Sequence, residues 1–458
     1  MTEEKIRTEF SKIFFSGIGG SGVSAIACFM FDRGNIVSGS DRAFDQDQNH
    51  PLLKILRQKG ISIVPQDGSG IDSSFDLAIF STAVEPDNPE FIKAKTLRIP
   101  VMTRPEYLAE IVSSFKTIAV SGTSGKSTAS GILTFIMKRL GLNPNFIGGG
   151  RVRQFKTDSN PGNSLTGDSD MLIIEACESD GSIIAYKPLH TVILNLELDH
   201  HTVDKTAQMF KTLMENTSGK IIINADDKNL GKISSDGEIS FSIDTPSHYR
   251  AEDIIYRPFE TEFSLKGVQF QLPLPGKYNL YNALSCIAIL TEIGIPLKDI
   301  RGTLKDFQGI ERRFEIKLDN GKRLVIDDYA HNPHKIASLI QAVRLARKSI
   351  CYIFQPHGFA PTRMMKKEYI EAFSENMRDS DHLILLPIYY AGGTTQKDIS
   401  SHDLAEGIRA SGRSVEVAER KEILTMLHKW ESYVIFGARD ESLSEFAEDI
   451  AIKLKTYL

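Results

Sequence analysis

Residues 117–140, TIAVSGTSGKSTASGILTFIMKRL, restrict the fold of this chain more than any other stretch. A β-branched and apolar run at 117–120 enters a Gly/Ser turn at 121–125, and Lys126 then opens an amphipathic run that stops at Gly141. That order is strand, phosphate loop, helix. Gly122 and Gly125 let backbone N–H groups point inward around phosphate oxygens, at a helix N-terminus carrying roughly half a positive charge from its peptide dipoles. Lys126 adds a full charge, and the Ser127 hydroxyl can hold Mg2+. Thr123, Ser124 and Thr128 complete the stretch expected to bind a nucleotide. The spacing departs from the general phosphate loop, which would place a glycine where this chain has Val120.

A chain of 458 residues is long enough for two to four domains, each with its own core. Its 41% hydrophobic and 25% charged residues are those of an ordinary globular protein. A net charge of −5 leaves no basic excess to neutralise a nucleic acid, so phosphates must be met locally. Cys28, Cys177, Cys286 and Cys351 are too dispersed for a zinc spacing or a small disulfide framework, and are read as reduced thiols of a cytoplasmic protein. The first ten residues, MTEEKIRTEF, are charged where a signal peptide needs an apolar stretch, and no apolar run reaches membrane-spanning length. No membrane association is expected.

Ahead of the phosphate loop, a short apolar strand at 13–15 runs into GIGGSG at 17–22, then a helical pattern through Phe31 and a second strand at 36–38. Gly17, Gly19, Gly20, Ser21 and Gly22 with Asp41 satisfy the pattern of a glycine turn opening a helix with an acid about twenty residues on, which can seat a diphosphate. Helices at 51–59, 88–96 and 104–111 and strands at 61–64 and 77–80 complete an α/β unit, and 112–115 reads as a linker.

Beyond the loop, continuous apolar strands at 171–174 and 191–194 end in EACESD (175–180) and NLELDHH (195–201), as buried parallel strands should. Ligand groups in such sheets gather at strand carboxyl ends, so these two segments are expected beside the phosphate loop. Glu175 and Ser127 suffice for one Mg2+; His200 is a candidate for a second, although histidine is an uncommon Mg2+ ligand. Glu178 and Asp180 read as solvated or helix-capping. A third strand follows at 220–223. From 238 to 272 the pattern suggests a small antiparallel appendage with Lys266-Gly267 as a hairpin turn. Helices at 276–293 and 297–307 precede a boundary near GIERRF (309–314), after which α/β alternation restarts with strands at 324–326, 351–354, 383–386 and 434–436 and a last helix at 443–454.

Over nearly its full length the sequence resembles the Mur ligase family, within the wider superfamily that includes folylpolyglutamate synthases. The resemblance rests on GIGGSGVSAIA (17–27), SGSD ending at Asp41, STAVEPDNPEF (81–91), IPVMTRPEYLAE (99–110), GTSGKST (122–128), EACESD, LDHHT, LPGKYNLYNAL, ERRFE from Glu311, DDYAHNP, FQPH from Phe354 and LPIYYAGG from Leu386, in that order. It implies three α/β domains: a Rossmann-like UDP-binding domain at 1–113, a central P-loop ATPase-like domain with a small antiparallel appendage at 114–310, and a Rossmann-like C-terminal domain at 311–458. The implied enzyme is an ATP-dependent ligase that joins an amino acid, L-alanine first, to the carboxylate of UDP-N-acetylmuramate in peptidoglycan precursor synthesis, with two Mg2+ ions. Ser81 and Thr82 join the glycine turn at the UDP substrate. Lys126 contacts the nucleotide phosphates, Ser127 and Glu175 bind metal, and His200 matches the second-metal histidine. Asn279 and Asn282 match positions near adenine and ribose, and Arg313, Asp328 and His331 match positions with which the C-terminal domain closes over the nucleotide. The implied mechanism is attack of the substrate carboxylate on the γ-phosphorus of ATP, giving an acyl phosphate and ADP, then displacement of phosphate by the amine.

Three positions depart from the family pattern. QPHGFAPTR (355–363) carries Gly358 and Pro361 where the alanine-adding members usually have arginines, GARD (437–440) replaces GAGD, and the phosphate loop has Ser124 where histidine or asparagine is common. A guanidinium recognises a carboxylate with a paired planar geometry that glycine and proline lack. The amine therefore stays open among L-alanine, a peptide as in a murein-recycling tripeptide ligase, and another amine. A non-catalytic nucleotide-binding protein is the alternative from another class.

Overall fold

The computed structural model describes residues 11–199, 201–390 and 396–456. The chain divides into two compact units: one runs through Ile254 and takes in Phe263–Leu272 and Asn279–Gln308, and the other comprises Ile255–Glu262, Pro273–Tyr278 and the chain from Gly309 onward. Among the described residues no helix is long and apolar enough to cross a membrane.

The first unit holds two parallel sheets. One has the order Ser62–Ile63, Ile36–Ser40, Lys12–Ser16, Leu77–Phe80, Val101–Thr103, all parallel. Its strand order reverses between Lys12–Ser16 and Leu77–Phe80, so the Gly17 turn and Ser81 leave the sheet at the switch point where open α/β sheets bind ligands. The other sheet has the order Tyr249–Arg250, Ile239–Ser242, Ile221–Asn224, His190–Ile193, Lys116–Ser121, Met171–Glu175, Asn145–Ile147, Ser164–Leu165; only the last pair is antiparallel. The strand that feeds the phosphate loop thus lies between the strands that deliver Glu175 and Asn195.

One apolar core runs through both sheets of this unit, from Ile13 and Phe29 to Ile174 and Phe210. Polar contacts reinforce it: the Arg33 guanidinium lies 5.0 Å from the Phe29 ring centre and 4.7 Å from that of Phe115, and Asn163 Nδ2 donates to the Ser21 carbonyl at 2.8 Å. This explains why the expected linker at 112–115 is largely absent. Val112 and Ser113 belong to the helix Arg104–Ser113, and Val112 is fully buried.

The expected appendage at 238–272 is smaller than predicted. Ile239–Ser242 and Tyr249–Arg250 join the central sheet in parallel register as its edge. Only Glu252–Tyr256, Thr261–Leu265 and Val268–Leu272 form a separate three-stranded sheet. Its turn is Lys266-Gly267, both with positive φ (49° and 76°), as a two-residue hairpin loop requires.

In the second unit the sheet order is Glu315–Asp319, Leu324–Asp328, Ser432–Phe436, Cys351–Phe354, His382–Leu385, Val415–Val417. Glu315–Asp319 is antiparallel to its neighbour, and the others are parallel. Helices cover both faces, over cores centred on Phe354 and Phe373 on one side and on Tyr433 and Phe446 on the other.

Candidate functional site

The phosphate loop is held from three sides. Gly122 and Gly125 have φ of 141° and 87°, outside the range that suits side chains. Asn195, just past the strand His190–Ile193, accepts from Ser124 N and from Thr123 Oγ1 at 2.8 Å each, and returns a hydrogen bond from Nδ2 to the Ser124 carbonyl at 3.0 Å. The helix Lys126–Arg139 follows, with Thr128 in its first turn, and Cys286 of the helix Lys277–Glu292 donates to the Ala129 carbonyl at 3.1 Å. That second helix carries Asn279 and Asn282. The Asn282 side chain packs directly on Gly125.

Lys126 Nζ donates to the Gly122 carbonyl at 2.6 Å and to Glu178 Oε2 at 2.8 Å. Burial acts to lower its pKa, but the nearby Cys177, Glu178 and Glu175 prevail and hold the ammonium above the ordinary lysine value. Glu178 itself is 1% exposed. This corrects the expectation of a solvated or capping acid: Glu178 is turned inward onto the lysine. Asp180 accepts from Ser182 N at 3.0 Å without being the cap of the turn Ser182–Ala185, which is Gly181, and it forms an ion pair with Arg104.

The Ser127 hydroxyl donates to Glu175 Oε2 at 3.0 Å, while Glu175 Oε1 accepts from Gly149 N and Gly150 N at 2.8 and 2.9 Å. A Cβ on Gly148 would come within 3.0 Å of Glu175 Oε1, so the glycine run leaves room that side chains would fill. Two hard oxygen donors side by side at a phosphate loop suit Mg2+, which takes few protein ligands and keeps water and phosphate for the rest. Among the described residues no group of three or more His, Cys, Asp and Glu side chains converges as a metal cage. His200, the candidate for a second metal, lies outside the described residues.

At the first sheet, a Cβ on Gly17 would come within 2.7 Å of the Ser81 Cβ, which places the turn directly against the strand end that carries Ser81 and Thr82. Gly20 precedes the helix Ser21–Asp32, whose first turn holds Gly22. Asp41 accepts from Gly19 N at 2.8 Å and from Ala43 N at 2.9 Å. Its carboxylate therefore braces the turn and caps the next helix, a structural task the dinucleotide pattern did not foresee. Arg104, the first residue of the helix Arg104–Ser113, packs on Gly22.

In the second unit, Asp328 ends its strand and accepts from Phe314 N at 2.6 Å and Ala330 N at 2.7 Å. Burial raises its pKa, against the pull of Arg313 and these N–H groups. The Arg313 guanidinium lies 4.8 Å from the Tyr329 ring centre. His331 sits 5.3 Å from the His357 ring and is held neutral by burial and Lys335. Arg312, with φ of 55°, donates to the Gly437 carbonyl at 2.8 Å and faces Asp327, whose pKa burial pushes up to about 6. Arg439, where the family pattern has glycine, has φ of 67°.

Three family models match consecutive stretches: the Mur ligase catalytic domain over residues 12–116, the Mur ligase middle domain over 120–290, and the Mur ligase glutamate ligase domain over 312–451. The chain belongs to the Mur ligase family. Mur ligases are ATP-dependent enzymes that form amide bonds, and this one has their three-domain α/β fold. A UDP-N-acetylmuramate–L-alanine ligase of Aquifex aeolicus is 31% identical over 465 residues, covering 97% of this chain and 98% of the relative. A protein of the same name from Clostridium acetobutylicum is 34% identical, covering 88% of each chain. Among solved structures, the UDP-N-acetylmuramate–alanine ligase of Thermotoga maritima superposes with a TM-score of 0.82 at 25% identity, covering 98% of this chain and all of that one.

Against that fold, the sequence reading of this Mur ligase overlooked the loop brace Asn195 and the lysine partner Glu178. The signal for Asn195 was available: a polar residue directly after an apolar strand, opposite the glycine loop. Nothing local distinguished Glu178 from Asp180, because only tertiary packing decides which of two acids in EACESD turns inward.

Proposed function

We propose that this Mur ligase couples ATP cleavage to the joining of L-alanine to the lactyl carboxylate of UDP-N-acetylmuramate. The observation that carries this reading is the contact of Ser127 with Glu175 beside Lys126, two oxygen donors suited to Mg2+ and a cation suited to phosphate at one loop. The names of its relatives support the substrate pair. Lys126 draws the γ-phosphate into line and spreads its charge. Mg2+, when bound by Ser127 and Glu175, offsets the phosphate charge. The substrate carboxylate oxygen bonds to the γ-phosphorus as the bond to ADP breaks; the amine nitrogen then bonds to the acyl carbon and phosphate leaves. The Gly17–Gly22 turn, with Ser81 and Thr82, seats the UDP diphosphate. The family resemblance assigns nucleotide contacts to Asn279, Asn282, Arg313, Asp328 and His331 as well, a second metal to His200, and domain limits near residues 113 and 310.

The amine is the finer point. Gly358 has φ of 70° and caps the short helix Phe359–Met364, so an arginine at this position would be strained. Arg363, the guanidinium that remains, is paired with Asp398 and the Gln396 carbonyl. Loss of a charged hydrogen-bond partner costs about 1.5–3 kcal/mol, roughly ten- to a hundredfold in affinity. We therefore expect L-alanine to be used at an elevated KM. The test is phosphate release and product mass with L-alanine, glycine, L-serine and the L-alanyl-γ-D-glutamyl-diaminopimelate tripeptide. Preferred use of the tripeptide would replace the alanine reading with the recycling one, and no product with any of the four amines would overturn both.

A further inference from the structure

Lys126 is the only charged residue of the loop 122–128, yet it is already neutralised. Glu178 Oε2 lies 2.8 Å from its ammonium, and the carboxylate is 1% exposed. Glu175 adds a second negative charge at Ser127. The charged groups paired at this loop therefore sum to one negative charge, at a place meant to receive a polyanion. Glu178 has a further peculiarity: its Oε1 is buried and has no hydrogen-bond partner. A buried carboxylate oxygen left unmatched is costly, and an arriving donor would repay that cost.

We propose that Glu178 makes this phosphate loop select nucleotide complexed with a divalent cation over metal-free nucleotide. Metal-free ATP or ADP meets a lysine whose charge is cancelled and a carboxylate that cannot withdraw into solvent. Nucleotide carrying Mg2+ would bring its own compensation, and the unmatched Glu178 oxygen would accept from a donor arriving with it. Lys126 then contributes position more than net charge, its ammonium being fixed between Glu178 and the Gly122 carbonyl before any ligand arrives. The inference rests on nucleotide binding at this loop, as set out above.

The test is calorimetry of ADP binding to the full chain, with Mg2+ and with excess chelator, for wild type, Glu178→Gln and Asp180→Asn. Wild type should bind Mg2+–ADP much more tightly than free ADP. Glu178→Gln should tighten free ADP by about tenfold or more, as removal of one charge near a phosphate allows, and so shrink the gap between the two conditions. Asp180→Asn, two residues along the chain from Glu178 but paired with Arg104, should leave the gap unchanged. An unchanged gap in folded Glu178→Gln would overturn the proposal while leaving the loop as the nucleotide site. Failure of wild type to bind ADP in either condition would instead remove the site itself. If the buried amide prevents folding, Glu178→Met, of similar length and without charge, carries the same comparison.

Discussion

The Asn282 side-chain oxygen occupies the space that a Cβ at position 125 would need. Gly125 also has φ of 87°, so both the backbone and the neighbouring helix demand glycine at the point where the phosphate loop becomes a helix. Gly125→Ala should cost about 1–3 kcal/mol of stability and weaken ADP binding, because the loop must deform to admit the methyl group. The double change Gly125→Ala with Asn282→Ala removes the collision but keeps the backbone strain, and should recover only part of the loss. Thermal unfolding and calorimetry of the single and double variants check this; a wild-type midpoint and ADP affinity in Gly125→Ala would contradict it.

Lys126→Ala should abolish ligation, and it should also destabilise the protein. The side chain is largely buried, and removing it strands the Glu178 carboxylate in a buried site. Stripping one partner from a buried pair typically costs about 3–5 kcal/mol, and the 13% exposure of Lys126 places this case at or below the lower end. Adding Glu178→Gln to Lys126→Ala should restore much of the stability and none of the activity. Equal unfolding midpoints for wild type and the single variant would mean the pair is unimportant to folding.

Acid should weaken the protein partly through Asp226. Burial tends to raise its pKa, but backbone N–H groups of Asp244, Ile243 and Thr245 and the Thr245 hydroxyl outweigh that and bring it to about 2 from an ordinary 3.8. Tyr281, next to Asn282, donates to the same carboxylate at 2.8 Å. A depressed acid gives stability that is present above the unfolded pKa and is lost as pH falls through the folded one. The window is thus from about pH 4 down to pH 2. Asp226→Asn should be less stable than wild type at neutral pH, and the difference in unfolding midpoint should close across that window. A difference independent of pH would assign the effect to packing.

Much of this architecture was legible because buried parallel strands write themselves as uninterrupted apolar runs, as at 171–174, 191–194 and 351–354. The phosphate loop and its helix were legible for the same local reasons. Elements at sheet edges were not. Glu315–Asp319, EIKLD, alternates charge with apolar residues and reads as boundary until its antiparallel partner is seen. Asn145–Ile147 and Ser164–Leu165 are too short to signal strands without the sheet they extend. At the site, residue identity was easier to read than orientation. Ser127 and Glu175 do meet, whereas Asp41 turned out to brace its own glycine loop and Glu178 to neutralise the lysine, outcomes fixed by contacts between segments far apart in sequence.

The central claim is that a substrate carboxylate oxygen attacks phosphorus at the Lys126 loop. It is tested most directly by following that oxygen. UDP-N-acetylmuramate labelled with 18O in its carboxylate is converted with ATP, Mg2+ and L-alanine, and the released phosphate is analysed by mass. An acyl phosphate route transfers one labelled oxygen to each phosphate released, and Lys126→Ala should release none. Phosphate free of label, formed alongside the amide product, would show that the carboxylate never bonds to phosphorus and would contradict the account.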